Sequence, residues 1–510
     1  MSAGANGDTW SDFDARKTRY AILWAYYEST AYRTFLNPWA TKYIQDYALY
    51  KYVRNIYNPS ARLAETWVHF LVGGALNLDA EVSELLVGGD LPIVIPAKTP
   101  KESSDALRLA IAQIYKDSVW QVNKSIWARN GVVKGDTALK IIDDTKRKKV
   151  YFEVIRPDII KELTLDPFGN VKRYELEEER ADPRIGKTGN VKYKEIGERV
   201  KDESETPGGL GVVRFRTLLN GSPYAWNGVA AEWEENYGFV PFIATKHIDV
   251  GFDWGWAEAQ PSLSKFREID NLASALDDQV TKAVKAPFMI NAKKPQNEVK
   301  VQGAQPTSER PEPGKEEQPI LYIPDPNAKA TSLVTDLNIE AVVKNIAMML
   351  EHLERDFPEL QADVFKLGND SSGRALRTLR EPVEARVMER RAAYDDALLR
   401  ANKMAISIGA QRGYDGFTSF RAESYAAGEL NHSIGARSVF RKDPLDDLDY
   451  KKAFWETAMA ATRAGQPLEE FLRDAGWDEE KISKIVQSEE FQAKRKAVVE
   501  SFGTTKRERE

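Results

Sequence analysis

Residues 262–285 read SLSKFREIDNLASALDDQVTKAVK, and residues 337–357 read LNIEAVVKNIAMMLEHLERDF; this pair decides the fold. In the first, Leu263, Phe266, Ile269, Leu272, Leu276, Val280 and Val284 recur every three or four residues. In the second, Ile339, Val342, Ile346, Met349, Leu353, Phe357 and, just beyond, Leu360 keep the same rhythm. Each stretch therefore predicts an amphipathic helix about 30–36 Å long. Between them, Pro287 to Pro326 carries eight of the 24 prolines, with Lys, Gln and Glu filling much of the rest. Helix interiors reject proline, so this insert is expected to be a separate loop-and-strand module at the tip of a helical hairpin. Neither helix has a tryptophan and each apolar stripe is narrow. Such helices bury little on their own and suit packing against copies of themselves, in a ring or bundle.

Upstream, residues 12–35 are rich in Tyr, Ala and Trp and begin helical. Asn58-Pro59-Ser60 supplies a turn and N-cap for a helix over Ala61–Val72, which Gly73-Gly74 ends. One continuous helix is predicted from Ser104 to Asn130, with Leu107, Ile111, Ile114, Val119, Val122 and Ile126 at near-helical spacing. After Gly135-Asp136 the period changes to two: Thr137–Ile142 and Val150–Ile155 read as strands around a polar turn. A turn at Asp166–Asn170 precedes a strand at Val171–Leu176. Further strands are expected at Lys192–Ile196, Val212–Leu219 and Ala230–Glu234. The result is an antiparallel meander in a helical setting, hence an α+β, predominantly helical fold. Downstream, Lys366 to Gly373 is a polar break, a third long helix runs from about Arg374 to Ile408, and Asp446 to Phe502 reads as several short helices.

The whole composition narrows the function. A chain of 510 residues exceeds one compact core, and ten of the twelve tryptophans lie at or before Trp256, which makes the first half the bulkiest globular part. Lys plus Arg is 72 against 78 for Asp plus Glu, a net charge of −6, which disfavours a tight non-specific coat on DNA. An acidic chain can still handle DNA that must slide. With no cysteine, disulfide frameworks, thiolate metal sites and cysteine nucleophiles are excluded. The four histidines, His69, His247, His352 and His432, include no pair four apart, so an HExxH zinc site is excluded too. Met1–Trp10 shows neither basic leader nor apolar stretch, and the most apolar run, Ile339–Leu350, is interrupted by Glu340, Lys344 and Asn345. A cytosolic product is expected.

Candidate chemistry is thin. Ile185-Gly186-Lys187-Thr188 has the end of a phosphate loop, but Ala181 stands where its first glycine belongs and no apolar strand leads in, so a surface hairpin turn is the better reading. Glu479-Glu480-Lys481 contains an E-x-K at a helix start rather than a strand end, where a mixed-charge helix surface is expected. His69, among Trp67, Val68 and Phe70, reads as a core or interface imidazole. No nucleophile, base and orienter assemble, and no metal site or cofactor is expected. Glu340, Lys344, Glu351 and Arg355 share one face of the second hairpin helix. A solvated face is the default for such a run; in a closed ring it would line a channel whose mixed signs neither trap nor expel a polyanion.

The order of these parts resembles that of a tailed-bacteriophage portal protein, of the long-helical-stem kind found in siphovirus-like phages. Asn58-Pro59-Ser60-Ala61-Arg62 with its helix and Gly73-Gly74, the glycine-led Gly131–Ile142, and Tyr237-Gly238-Phe239-Val240-Pro241-Phe242-Ile243 before the first hairpin helix each resemble a segment of that family. The proline-rich insert follows, then Gly368-Asn369-Asp370-Ser371-Ser372-Gly373-Arg374-Ala375-Leu376 at the junction to the next helix, then Gly465–Asp478. Residues 180–209 are longer and more charged than the resemblance leads one to expect, and the tract up to Asn37 matches nothing in it. The resemblance implies a portal-type subunit with an α/β wing (1–258 and 374–440), a helical-hairpin stem (259–285 and 336–361), a clip module (286–335), a tunnel loop (362–373) and a C-terminal helical crown with its tail (441–510).

It further implies a ring, usually of twelve copies, at a capsid vertex of the virion, assembled in the host cytoplasm. The implied partners are the terminase large subunit, a head–tail adaptor, the major capsid and scaffold proteins, and double-stranded DNA passing without sequence preference; no membrane is involved. The residues it singles out are Lys366, Leu367, Gly368, Asn369, Asp370, Ser371 and Ser372 in the tunnel loop. To these it adds the face of Glu340, Lys344, Glu351 and Arg355 in the channel, and Lys293, Lys294, Lys315, Glu316 and Glu317 toward the motor or adaptor. The mechanism it implies is positional, without covalent chemistry. Two other classes compete. A nuclease or packaging-motor subunit requires the nucleotide or metal constellation that the motifs do not supply. An unrelated capsid or scaffold protein gives no reason for a proline-rich module at the tip of a hairpin.

Overall fold

The computed structural model describes residues 12–34, 56–87, 91–184, 186–201, 211–226, 230–284, 289–291, 321–323, 339–360, 373–440, 444–464, 466–475 and 482. Two compact units divide the chain, Met1–Arg437 and Ser438–Glu510. The first mixes helices with antiparallel sheets, the α+β class that the change of period predicts.

Helix α1 (Phe13–Tyr27) starts where the Asp12 carboxylate accepts from the Ala15 N–H. Helix α2 (Pro59–Val72) starts where the Asn58 side chain accepts from Ala61 N–H, with Pro59 in the first turn, and stops at Gly73. Both caps satisfy amides that have no partner inside the helix. The short strand β1 (Ile93–Val94) follows.

The single helix expected over 104–130 is in fact two, α3 (Lys101–Asp117) and α4 (Trp120–Lys134). Val119 between them is left-handed, with φ 48. Ser118 accounts for the break: its hydroxyl donates to Ile114 C=O and accepts from the Phe152 N–H, tying the elbow to a neighbouring strand. The change of axis also moves the predicted stripe. Leu107, Ile111 and Ile114 are buried, whereas Val119, Val122 and Ile126 are 61%, 58% and 42% exposed. Trp120 and Trp127 face the core instead, 5.6 Å apart.

Gly135, at φ 96, ends α4 and turns the chain into β2 (Asp136–Asp144) and β3 (Lys149–Ile155). Glycine is required there, since a Cβ would meet Gly255 C=O at 2.6 Å. β4 (Ile160–Leu165), β5 (Val171–Ala181), β6 (Asn190–Lys201) and β7 (Val212–Leu219) form an antiparallel meander, and β8 (Ser222–Pro223) and β9 (Glu232–Glu235) both pair with β7. β10 (Phe242–Lys246) pairs with β2 on the side away from β3. The Tyr174 and Phe242 rings stack at 4.5 Å, joining the two sheets, and a buried Lys140–Glu195 ion pair joins them again. The opposite face of the meander is a ladder of ion pairs: Lys194–Glu175, Lys192–Glu177, Arg216–Glu198 and Arg214–Glu234, each at 2.8 Å. Although burial works against it, Lys192 and Lys161 hold the Glu177 carboxyl down at about 2.

Of residues 180–209, longer than the resemblance leads one to expect, those described are 180–184 and 186–201, and they continue β5 into β6. Asp182 N–H donates to Gly189 C=O across their connection, and Gly186 and Gly189 have positive φ. An antiparallel hairpin turn with no helix after it cannot present a phosphate loop, so the surface-turn reading of this segment holds.

The hairpin helices are α5 (Leu263–Val284) and α6 (Ile339–Asp356), within a few residues of the predicted limits. Their seam buries Phe266, Ile269 and Ala273 against Ile346, Leu353 and Phe357. Farther from this base, Val280, Ile339 and Val343 are exposed. Within the insert, β11 (Met289–Asn291) pairs in parallel with β12 (Leu321–Ile323). Helix α7 (Gly373–Arg412) has Pro382 inside it and buries Val387, Tyr394, Leu398, Ala405 and Ile408 in the core. β13 (Ser433–Ile434) pairs with β1. In the second unit, α8 (Pro444–Arg463) and α9 (Leu468–Asp474) pack through Phe454 and Phe471, whose rings lie 5.6 Å apart.

Candidate functional site

Helix α6 carries the one group of candidate residues that falls among the described residues. At 100° per residue, Glu340, Lys344, Glu351 and Arg355 fall within an arc of about 60°, roughly opposite Ile346 and Leu353. All four are exposed, while Ile346 and Leu353 are buried in the seam. Glu340 pairs with Lys344 at 2.7 Å, and Glu351 with Arg355 at 2.6 Å, both at i, i+4. Exposed pairs of this kind add only about 0.3–0.5 kcal/mol each to the helix. What they accomplish is local neutrality: a helix face that is hydrophilic, rich in charge and without net charge.

The other candidates, Lys366 to Ser372 and Lys293, Lys294, Lys315, Glu316 and Glu317, lie outside the described residues, as does Glu479–Lys481.

Sequence reasoning missed a buried network of charges at the base of the hairpin. Arg386 of α7 donates from Nη2 to Glu258 Oε1 at 2.6 Å and from Nη1 to Glu359 Oε2 at 3.0 Å. Glu258 lies just before α5 and Glu359 just after α6, in a short 3-10 turn at Pro358–Leu360. Their side chains are only 1% and 0% exposed. His247 Nε2 is 3.0 Å from Glu258 Oε2, its Nδ1 is 3.0 Å from the Tyr394 hydroxyl, and Arg390 lies 3.6 Å from Glu258. Trp67 of α2 donates its indole N–H to Glu359 Oε1 at 2.8 Å.

Burial drives the His247 pKa down, against the pull of Glu258, so the ring is neutral. Burial opposes the Glu258 charge as well, but His247, Arg386 and Arg390 hold that carboxyl below the usual range. The Nε2–H therefore donates to Glu258, which leaves Nδ1 to accept from the Tyr394 hydroxyl. Burial pushes Glu359 upward, with Arg386 only partly compensating. The ring, Tyr394 and both carboxylates are buried, and this network joins α2, α7 and the two ends of the hairpin together.

The remaining histidines correct one expectation. His69 is exposed, which corrects the core half of the core-or-interface reading. It stands two residues from Trp67, about 200° around the helix, and so faces away from the stripe of Leu63, Trp67 and Leu71. His352 is exposed on α6. His432, outside any regular element, is buried: Nδ1 bonds Leu430 C=O at 2.8 Å, Nε2 faces Asn402 at 3.1 Å, and burial lowers its pKa to about 4.

Among the described residues, no helix is long and apolar enough to cross a membrane. No protein-family model matches the chain, and no curated protein matches it.

Proposed function

We propose that this chain is the subunit of a portal-type ring, a collar through which double-stranded DNA passes during packaging and ejection and on which a packaging motor and a head–tail adaptor dock. The observation that carries the reading is the hairpin. Among the described residues, its seam buries apolar residues from the base as far as Ala273 and Ile346, Val280, Ile339 and Val343 stay exposed beyond it, and the far side of α6 presents the neutral charged face. An isolated helical pair gains little from such an arrangement. A closed ring of hairpins would cover the exposed apolar residues between neighbours and turn the paired charges toward a central passage.

A neutral, hydrated lining suits a conduit, because a polyanion is held by released counterions only where cations stand unpaired. In this reading the subunit performs no bond chemistry; it positions, and a partner motor hydrolyses nucleotide. Capsid and scaffold proteins would surround the ring, which assembles in the host cytoplasm and ends in the virion.

Native mass spectrometry of the purified protein, with electron microscopy of the same sample, tests the proposal. Closed rings of about a dozen copies, with an axial channel of roughly 20 Å or more, on the scale of a duplex with its grooves, are expected. A monomer or dimer under every assembly condition would overturn the proposal and direct attention to nuclease and nucleotide-hydrolysis assays. Deletion of 366–372 is expected to leave rings intact while impairing packaging or retention of DNA. Loss of assembly would assign that segment a structural part instead.

A further inference from the structure

Both ends of the hairpin meet on one guanidinium, and they are not held equally. Glu258, at the start of α5, keeps three cationic or N–H partners: Arg386 at 2.6 Å, the His247 Nε2–H at 3.0 Å and Arg390 at 3.6 Å. Its own backbone N–H donates to Val132 C=O at 3.1 Å. Glu359, just past the end of α6, has Arg386 at 3.0 Å, the neutral Trp67 indole at 2.8 Å and its own backbone N–H, and so a single cationic partner. Arg62 reaches the same turn through Leu360 C=O at 2.8 Å. Among the described residues, Asp356 also ties the two ends through Ser262 and Lys265, and the Lys265–Asp356 pair is about two-fifths exposed.

We propose that Arg386 is a positioning residue that sets the stance of the hairpin on the body of the protein, with Glu258 the fixed foot and Glu359 the foot that yields. The guanidinium alone can do this, because its planar fork presents separate N–H groups to two carboxylates at once, whereas an ammonium is a point donor on a flexible stem. Take the fork away and two buried carboxylates face each other. While both stay ionised, relief comes when one of them reaches water, and the one with fewer cationic partners goes. When Glu359 leaves, the turn Pro358–Leu360 and the last turn of α6 go with it, while α5 stays anchored. The hairpin thus has a built-in hinge on its return helix. This inference concerns the hairpin itself and stands whether or not the chain forms rings.

Hydrogen–deuterium exchange of the full chain tests it. Arg386→Met is expected to raise exchange over residues 350–360 by about ten-fold or more, with less than about two-fold change over 263–273. Adding Glu359→Gln removes the stranded charge, keeps an acceptor for Trp67, and is expected to restore protection of 350–360; adding Glu258→Gln instead is not. Equal loosening of both feet, or no recovery in Arg386→Met with Glu359→Gln, overturns the proposal. If Arg386→Met alone does not fold, the same double variant decides: a folded chain with a protected 350–360 supports the proposal, and an unfolded one overturns it.

Discussion

One methyl group at position 131 would break the chain of contacts that leads to Glu258. A Cβ there would lie 1.9 Å from the Tyr394 hydroxyl, which donates to His247. Gly131→Ala is therefore expected to cost about 2–4 kcal/mol, read as a fall in denaturant midpoint with an unchanged slope. A second residue carries a pH signature. Burial pushes Asp270 up to about 6, even though the Ile56 and Tyr57 amides both donate to it at 3.1 Å. Its folded pKa exceeds its unfolded one, so the native state takes up the proton first, and this group stabilises the fold as pH falls from about 7 toward 4. Asp270→Asn abolishes that contribution. Wild type minus variant stability should grow between pH 7 and pH 5 and stay flat above pH 7, as followed by urea unfolding. Neither site was legible beforehand. Trp67 and Glu359 lie 292 positions apart, and His247, Glu258 and Arg386 share no spacing that marks them as neighbours. The Asn58 cap was legible because its partner, Ala61, is three residues away.

At the scale of elements the same division holds. The hairpin helices could be read in advance because their apolar rhythm depends only on neighbours along the chain, and the meander because its period is two. The 117–120 elbow could not. Helical spacing runs almost unbroken through Ser118 and Val119, and what divides the helix is a hydrogen bond to Phe152, a strand residue far along the chain. Ser118→Ala leaves the buried Phe152 N–H without that acceptor and is expected to cost about 1–3 kcal/mol in equilibrium unfolding. Val119→Asn should act in the opposite sense. It relieves a β-branched residue at φ 48 and gives up a largely exposed side chain, for a gain of about 0.5–1 kcal/mol. A loss of stability would mean that the exposed valine makes contacts worth more than its backbone strain. The exposed charges on α6 were legible as a group, because i, i+4 spacing already implies both the common face and the pairing.

At the scale of the whole molecule, the division after Arg437 predicts that residues 1–437 fold without the remainder. A chain ending there should keep a single cooperative thermal transition; a broad, non-cooperative melt would show that the two units depend on each other. Within the first unit, tryptophan packing and ion pairing are placed apart: Trp120, Trp127 and Tyr394 fill the core, while the outer face of the meander is covered by charges. The two respond to heat differently. The hydration of ions weakens as temperature rises, so the cost of drawing them together falls, while the gain from each square ångström of apolar burial levels off. Below that single transition, the strands joined by the ladder of Lys192, Lys194, Arg214 and Arg216 with its glutamates should therefore keep their protection from hydrogen exchange on warming, while the helices that lean on the sheet lose theirs first.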